Sequence, residues 1–331
     1  MDASHAPPDD APWVSASPAV PPGKRLRPRL LVGAYDTLAP TATEPEPRSA
    51  ALAAGEAVES LHTAFLAHDD VIDDDHVRRG HANVAGRYAA HARSQGLPDA
   101  AAHGYGAAAG LLAGDLALVD AVRGLALCGA RPAVVTRLLD LLDEAVRLSA
   151  DGELRDLWFS HLPPALDDVV RTARGKTAAY SFELPLRLAA VLAGRADLDG
   201  ELTALGQDLG IAYQLRDDVL GTFGDPERTG KPATSDLREG RGTALVAFAR
   251  TTADWPRISP WLGRQDAADA DLEAVRALLD RCGARAATED LAHRYEHSAV
   301  ERAAALGLDA PVAQLLALAV PAGHDQGEWA A

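Results

Sequence analysis

Between positions 56 and 75 the chain places Val58, Leu61, Phe65 and Ile72 at helical spacing and runs into His68-Asp69-Asp70-Val71-Ile72-Asp73-Asp74-Asp75. Intervals of three, four and seven residues describe one face of an α-helix. This helix must therefore accommodate a run of acids at its C-terminal end. Asp69 and Asp73 lie one turn apart on a shared face, with Asp70 and Asp74 beside them. Like charges at that spacing cost about 0.2–0.5 kcal/mol per pair, and acids at a helix C-terminus oppose its dipole. A wet acidic helix end tolerates such a run; so does a cation held between the carboxylates.

A second pattern favours the cation. Leu205, Leu209, Ala212, Leu215 and Val219 form another helical stripe, over 202–220, which ends in Arg216-Asp217-Asp218-Val219-Leu220, then Gly221 and a loop to Asp225. Two aspartate pairs, each closing an apolar helix, are placed to face each other across a bundle. Hard divalent cations such as Mg²⁺ prefer carboxylate oxygens and keep waters that a phosphate can replace. Asp167-Asp168 serves as the contrast. Pro163-Pro164 puts that pair at a helix start, where acids complement the dipole, and Thr172 stands where a further acid would be needed.

The rest of the chain reads as helix too, over 107–127, 132–148, 166–192 and 272–320, with the last stretch broken at Gly283 and Gly307. Hydrophobic residues are 47% of the chain but aromatics only 5%, so the core is Ala, Leu and Val, which suits helix packing better than strand pairing. The expected fold is all-α: a Pro- and Ala-rich flexible leader over 1–22, then a single helical domain over 23–331. A net charge of −16 argues against nucleic-acid binding. An anionic substrate would need local cations to reverse the sign. Cys128 and Cys282 are too far apart for a metal motif and read as reduced packing residues. No basic-then-apolar leader and no uncharged apolar stretch of roughly 20 residues is evident, so the expectation is a soluble, cytoplasmic protein without a membrane span. His293 and His297, one turn apart, read as a solvated helix face.

Basic residues supply the local cations. Arg78-Arg79-Gly80 follows the first acidic run, Gly23-Lys24-Arg25-Leu26-Arg27-Pro28 precedes it, and Gly175-Lys176-Thr177 and Thr229-Gly230-Lys231 lie downstream. Arginine forks and lysine point charges are natural diphosphate contacts. A P-loop ending at Lys176-Thr177 is excluded by Val170 in place of its leading glycine and by the lack of a preceding strand.

Together these motifs resemble the trans-isoprenyl diphosphate synthases, the prenyltransferases that include geranylgeranyl and farnesyl diphosphate synthases, from Gly23 to about Ala249. The resemblance implies the isoprenoid synthase fold, a single-domain helical bundle with a central cavity, as well as a homodimer and about two to three Mg²⁺ ions per site. It assigns the metal to Asp69, Asp70 and Asp73 in the first motif and to Asp217 and Asp218 in the second. Lys24, Arg27, His62 and Arg79 would bind isopentenyl diphosphate. Arg78, Lys176 and Lys231 would face the diphosphate of the allylic substrate (dimethylallyl, geranyl or farnesyl), and Thr177 and Gln214 would lie near the allylic cation. Ala64 and Phe65 would set the cavity floor and hence product length, with geranylgeranyl diphosphate favoured over farnesyl diphosphate. Three departures stand out. The second motif has Gly221 at its fifth position, where Asp225 or the two remaining carboxylates would have to suffice. His81-Ala82-Asn83 follows the arginine pair, and the leader is short. A class I terpene cyclase would not need the isopentenyl-binding residues. A non-catalytic partner subunit would be marked by degraded aspartate motifs, and a structural helical protein would need neither.

Overall fold

The computed structural model describes residues 24–41, 44–78, 80–224 and 234–319. The leader, Arg79, Asp225 and Lys231 lie outside the described residues. Contacts divide the chain into two compact units: the chain up to Pro28 with Glu46–Leu139, and Arg29–Pro45 with the chain from Asp140 onward.

In the first unit, small side chains set how closely helices approach. Helix α2 (Arg48–Ile72), which follows α1 (Leu26–Leu38), buries Ala54, Ala57, Val58, Leu61, Ala64 and Ala67. Its Ala face packs on α4 (Asp99–Ala126), which buries Ala102, Ala109, Ala113, Ala117 and Ala121. A Cβ on Gly114 would fall 2.3 Å from the His68 ring nitrogen Nε2, so only glycine lets α4 come so near the acidic end of α2. The buried stripe of α2 thus continues through Ala64 and Ala67. Phe65 is only half-buried and Ile72 is exposed, which corrects the stripe expected from spacing. Truncating a fully buried leucine such as Leu61 costs about 2–5 kcal/mol.

Beyond α2 the only strands among the described residues are β1 (Val77–Arg78) and β2 (His81–Ala82), an antiparallel pair closed at Gly80, whose φ is +76°. Asn83 then caps α3 (Val84–Ser94): its Oδ1 accepts from Gly86 N at 2.8 Å and its Nδ2 donates to the Asp75 carbonyl at 2.7 Å. His81-Ala82-Asn83 is therefore a strand and a helix cap, an ordered answer to an unusual sequence.

Helix α4 bears on the expectation that the chain has no membrane span. By length and composition alone it is long and apolar enough to cross a membrane. Its alanines and glycines are packed inward, its outer face shows Leu111, Leu112, Leu116, Val119 and Val122, and it carries Asp115 and Asp120.

From α5 (Pro132–Phe159) the chain continues as α6 (Leu166–Ala173), a π-helical segment (Arg174–Glu183), α7 (Leu184–Ala193) and α8 (Asp199–Phe223). Asp168 Oδ2 accepts from Ala165 N at 3.1 Å, so the contrast pair does begin a helix. Every residue of α7 is buried. Helix α8 runs through Gly221 to Phe223 rather than stopping after its aspartates. It is anchored to the helix Ala284–Leu306 by Arg216, which donates to both oxygens of buried Glu296 at 2.8 and 2.9 Å. Gly283 and Gly307, both at positive φ, break the C-terminal helices where glycine allows it.

Candidate active site

The first cluster is built almost entirely by neighbours in sequence. At the end of α2, Asp73 is the C-cap and its N–H reaches the Asp69 carbonyl at 2.8 Å. Asp74 takes the left-handed conformation, φ +57°, and Asp75 N donates to the Asp70 carbonyl at 2.8 Å. That is a Schellman ending with aspartate where glycine is usual. The turn sends the chain back through β1, and Arg78 returns over the carboxylates. Its Nε donates to Asp70 Oδ1 at 2.8 Å and its Nη2 to Asp69 Oδ2 at 2.8 Å. Burial raises the Asp70 pKa despite Arg78. Arg78 itself is buried enough to disfavour its charge, but Asp70 and Asp69 outweigh this and hold it protonated. Next along, His68 Nε2 lies 3.2 Å from Asp115 Oδ1. Lys24 is exposed; Arg27 and His62 are half-exposed.

The second cluster is assembled from distant segments. Gly152 of α5 meets Gly175 of the π segment, and a Cβ on Gly152 would fall 2.1 Å from Lys176 N. This close crossing carries Lys176 to Glu153 Oε1 at 3.1 Å and Asp156 Oδ2 at 2.7 Å. π-Helical turns recur at functional sites. From this one Thr177 Oγ1 donates to Gln214 Oε1 at 2.7 Å, and Gln214 Nε2 donates to Asp218 Oδ1 at 3.0 Å. Ala244 N donates to the other oxygen of Asp218 at 3.3 Å. Three residues singled out in the sequence thus form one hydrogen-bonded chain. Asp217, the other member of the pair, is exposed.

Sequence reasoning missed Asp236. It belongs to the short helix Ser235–Glu239, and its Oδ2 sits 2.1 Å from where a Cβ of Gly221 would be. Its carboxylate occupies the space that a fifth-position side chain of the second motif would fill. A glycine where an acid is expected was the available signal, because an empty position invites a neighbour. Burial pushes the Asp218 carboxyl up to about 8, and the charges of Asp236 and Asp217 push in the same direction. Crowded carboxylates that offer only oxygen donors suit a hard divalent cation, which would offset their mutual repulsion. The donor set of each cluster therefore fits Mg²⁺.

Glu183 closes the π segment. It is buried against Gly206 of α8, and its Oε1 has no hydrogen-bond partner. Burial pushes its pKa up to about 7, against Arg174, Gln207 and Arg187, while Glu144 adds to the rise.

An all-helical chain with two carboxylate clusters of hard oxygen donors is the framework of an enzyme that handles diphosphates through divalent cations. A family model described as polyprenyl synthetase matches residues 15–279, and the chain belongs to that family. It is 31% identical over 286 residues to a geranylgeranyl diphosphate synthase of Saccharolobus solfataricus, covering 84% of this chain and 79% of that protein. It is 34% identical over 306 residues to a (2E,6E)-farnesyl diphosphate synthase of Mycobacterium tuberculosis, covering 90% of this chain and 78% of that protein. A solved geranylgeranyl pyrophosphate synthase from Corynebacterium glutamicum, complexed with isoprenyl diphosphate and magnesium, superposes with a TM-score of 0.80 at 32% identity, covering 90% of this chain and 85% of that one. The protein is a trans-prenyltransferase of the all-α isoprenoid synthase fold, from a magnesium-dependent family that works on isoprenyl diphosphates.

Proposed function

We propose that this enzyme condenses isopentenyl diphosphate head to tail with an allylic diphosphate and releases geranylgeranyl diphosphate. The observation that carries the reading is the intact Thr177–Gln214–Asp218 chain beside Asp236, which keeps a carboxylate at the glycine of the second motif. A partner subunit with degraded motifs would have no reason to keep it.

Bound Mg²⁺, held by Asp69, Asp70 and Asp73 and by Asp217, Asp218 and Asp236, would supply positive charge to the departing diphosphate. Arg78, Lys176 and Lys231 add side-chain charge to the same leaving group. Lys24, Arg27, His62 and Arg79 hold the diphosphate of isopentenyl diphosphate. The allylic carbon–oxygen bond breaks with its electron pair leaving on diphosphate. The double bond of isopentenyl diphosphate then attacks the allylic carbon, and a proton passes to the released diphosphate. Thr177 Oγ1 gives its hydrogen to Gln214, so its lone pairs remain to face positive charge. Gln214 in turn fixes the Asp218 carboxylate through its amide.

For product length, Ala64 is fully buried and small, whereas Phe65 is half-buried. A small residue one turn and more below Asp69 leaves depth for a longer tail, and that favours geranylgeranyl over farnesyl diphosphate. The resemblance to proteins named for both products keeps farnesyl diphosphate as the second reading. The exposed leucines and valines of α4 support a homodimer, because an apolar face of that kind marks an interface. Two free cysteines suit the reducing cytoplasm proposed as its location. The deciding experiment incubates the protein with Mg²⁺, isopentenyl diphosphate and dimethylallyl, geranyl or farnesyl diphosphate in turn, and resolves products by chain length. Geranylgeranyl diphosphate is expected from each primer. Product ending at farnesyl diphosphate would reverse the length assignment, and a cyclised hydrocarbon from an allylic substrate alone would overturn the condensation.

A further inference from the structure

Just past the first aspartate motif, three side chains from two segments converge on one point. Asp74 belongs to the turn after α2, His76 follows it, and His103 stands in the first turns of α4. His76 Nε2 is 3.5 Å and His103 Nε2 is 3.6 Å from the same oxygen, Asp74 Oδ1. The ligating atoms of the trio all lie within 4.8 Å of one another. The imidazoles stack, with centroids 5.5 Å apart and planes inclined by 18°.

These separations are longer than good N–H···O hydrogen bonds. They match a different geometry. A metal with nitrogen and oxygen ligands at about 2.0–2.1 Å in a tetrahedron holds neighbouring ligand atoms roughly 3.4 Å apart. The two nitrogen–oxygen distances are already near that value, so only the imidazoles must draw together, by small side-chain rotations. Two imidazoles and one carboxylate form a borderline donor set, suited to Zn²⁺, Co²⁺, Ni²⁺ or Cu²⁺, whereas Mg²⁺ seeks oxygen alone. The neighbouring Asp69 and Asp70 offer oxygen only and are engaged by Arg78. Two adjacent sites of opposite preference result.

We propose that Asp74, His76 and His103 form a binding site for a Zn²⁺-class divalent ion, with the fourth position left to water. The site joins the turn after α2 to the start of α4. His76 also accepts from Asn83 N at 3.1 Å through its carbonyl, so an ion bound there clamps the hairpin that carries Arg78. Binding is therefore expected to raise the melting temperature and to slow hydrogen exchange between residues 74 and 83.

The test titrates the purified protein with Co²⁺ while saturating Mg²⁺ occupies the oxygen-only sites. Expected are the intense visible bands of four-coordinate Co²⁺, removed by Zn²⁺, with affinity at least about tenfold weaker in His76→Ala and His103→Ala. Asp69→Asn should leave the bands in place, and His103→Ala should keep Mg²⁺-supported turnover. Zn²⁺ should raise the melting temperature of the parent protein but not of His103→Ala. Weak six-coordinate bands, or Co²⁺ binding unchanged in both histidine variants, would overturn the site. Bands that disappear in Asp69→Asn would assign the ion to the aspartate motif and equally overturn it.

Discussion

The two carboxylate clusters are assembled by opposite routes. Around Asp69 and Asp70 the partners come from the next few residues: a Schellman turn, a short hairpin and Arg78 folding back. Around Asp218 the partners are Gln214 on the same helix, Thr177 from the π segment, Ala244 from another helix and Asp236 beside Gly221. In the first cluster Asp69 and Asp70 share one arginine, which offsets only part of their charge. In the second, Asp218 is buried and faces the charges of Asp236 and Asp217, which is why it rises to about 8, burial being the larger cause. A cluster made by local geometry tolerates sequence change outside its own segment. One made by packing can lose a motif residue and regain its carboxylate from elsewhere.

The largest effect should come from the local cluster. Asp69→Ala is expected to lower kcat by about 10³-fold or more, equivalent to about 4 kcal/mol of transition-state stabilisation, with an unchanged circular dichroism spectrum. Ordinary turnover by that variant would break the metal assignment.

The next effect tests the packed cluster. Asp236→Ala should reduce kcat by about 10²-fold. Gly221→Asp alone should be both less stable and less active, because its Cβ would lie 2.1 Å from Asp236 Oδ2. Combining the two substitutions returns the carboxylate to the motif and should recover most of the lost kcat. If the double variant is as poor as the worse single one, Asp236 does not replace the missing acid.

A smaller change is expected at Thr177→Val, which removes the donor to Gln214 and leaves that amide oxygen unpaired, at a cost of about 1–3 kcal/mol. Steady-state kinetics should show a lower kcat with KM for isopentenyl diphosphate little altered; a change in KM alone would place Thr177 in substrate binding.

The last effect concerns stability rather than turnover. Glu183 has a folded pKa of about 7, above its ordinary 4.5. The folded state therefore holds this proton more tightly than the unfolded chain. Its contribution is fully present below about pH 4.5 and is lost as pH rises through about 7, by up to about 3 kcal/mol. Glu183→Gln should flatten that part of the denaturation profile and raise the midpoint at pH 8. A parallel profile for both proteins would show that Glu183 ionises freely.

Much of the first cluster was legible because its spacing is the helix repeat. Asp69, Asp70 and Asp73 could be placed on one helix end, and Gly283 and Gly307 could be read as breaks, from local rules alone. The hairpin at Arg78 was less accessible, since His81-Ala82-Asn83 offers no strong strand signal and is ordered by the Asn83 cap. Phe65 and Ile72 misled for a related reason. Periodicity identifies a face, but α4 buries the alanines of α2 and leaves those larger residues toward the edge.

What the amino-acid order determined by itself was the helical class, the acidic ends of two helices and the basic residues that follow them, because each depends on contacts within a turn or two. Tertiary structure decided which carboxylate stands beside Gly221, how deeply Asp218 is buried and that Lys176 meets Glu153 and Asp156. At Gly221 and at the Gly152–Gly175 crossing, glycine lets a remote side chain or backbone come close, and a close approach between remote segments has no period along the chain.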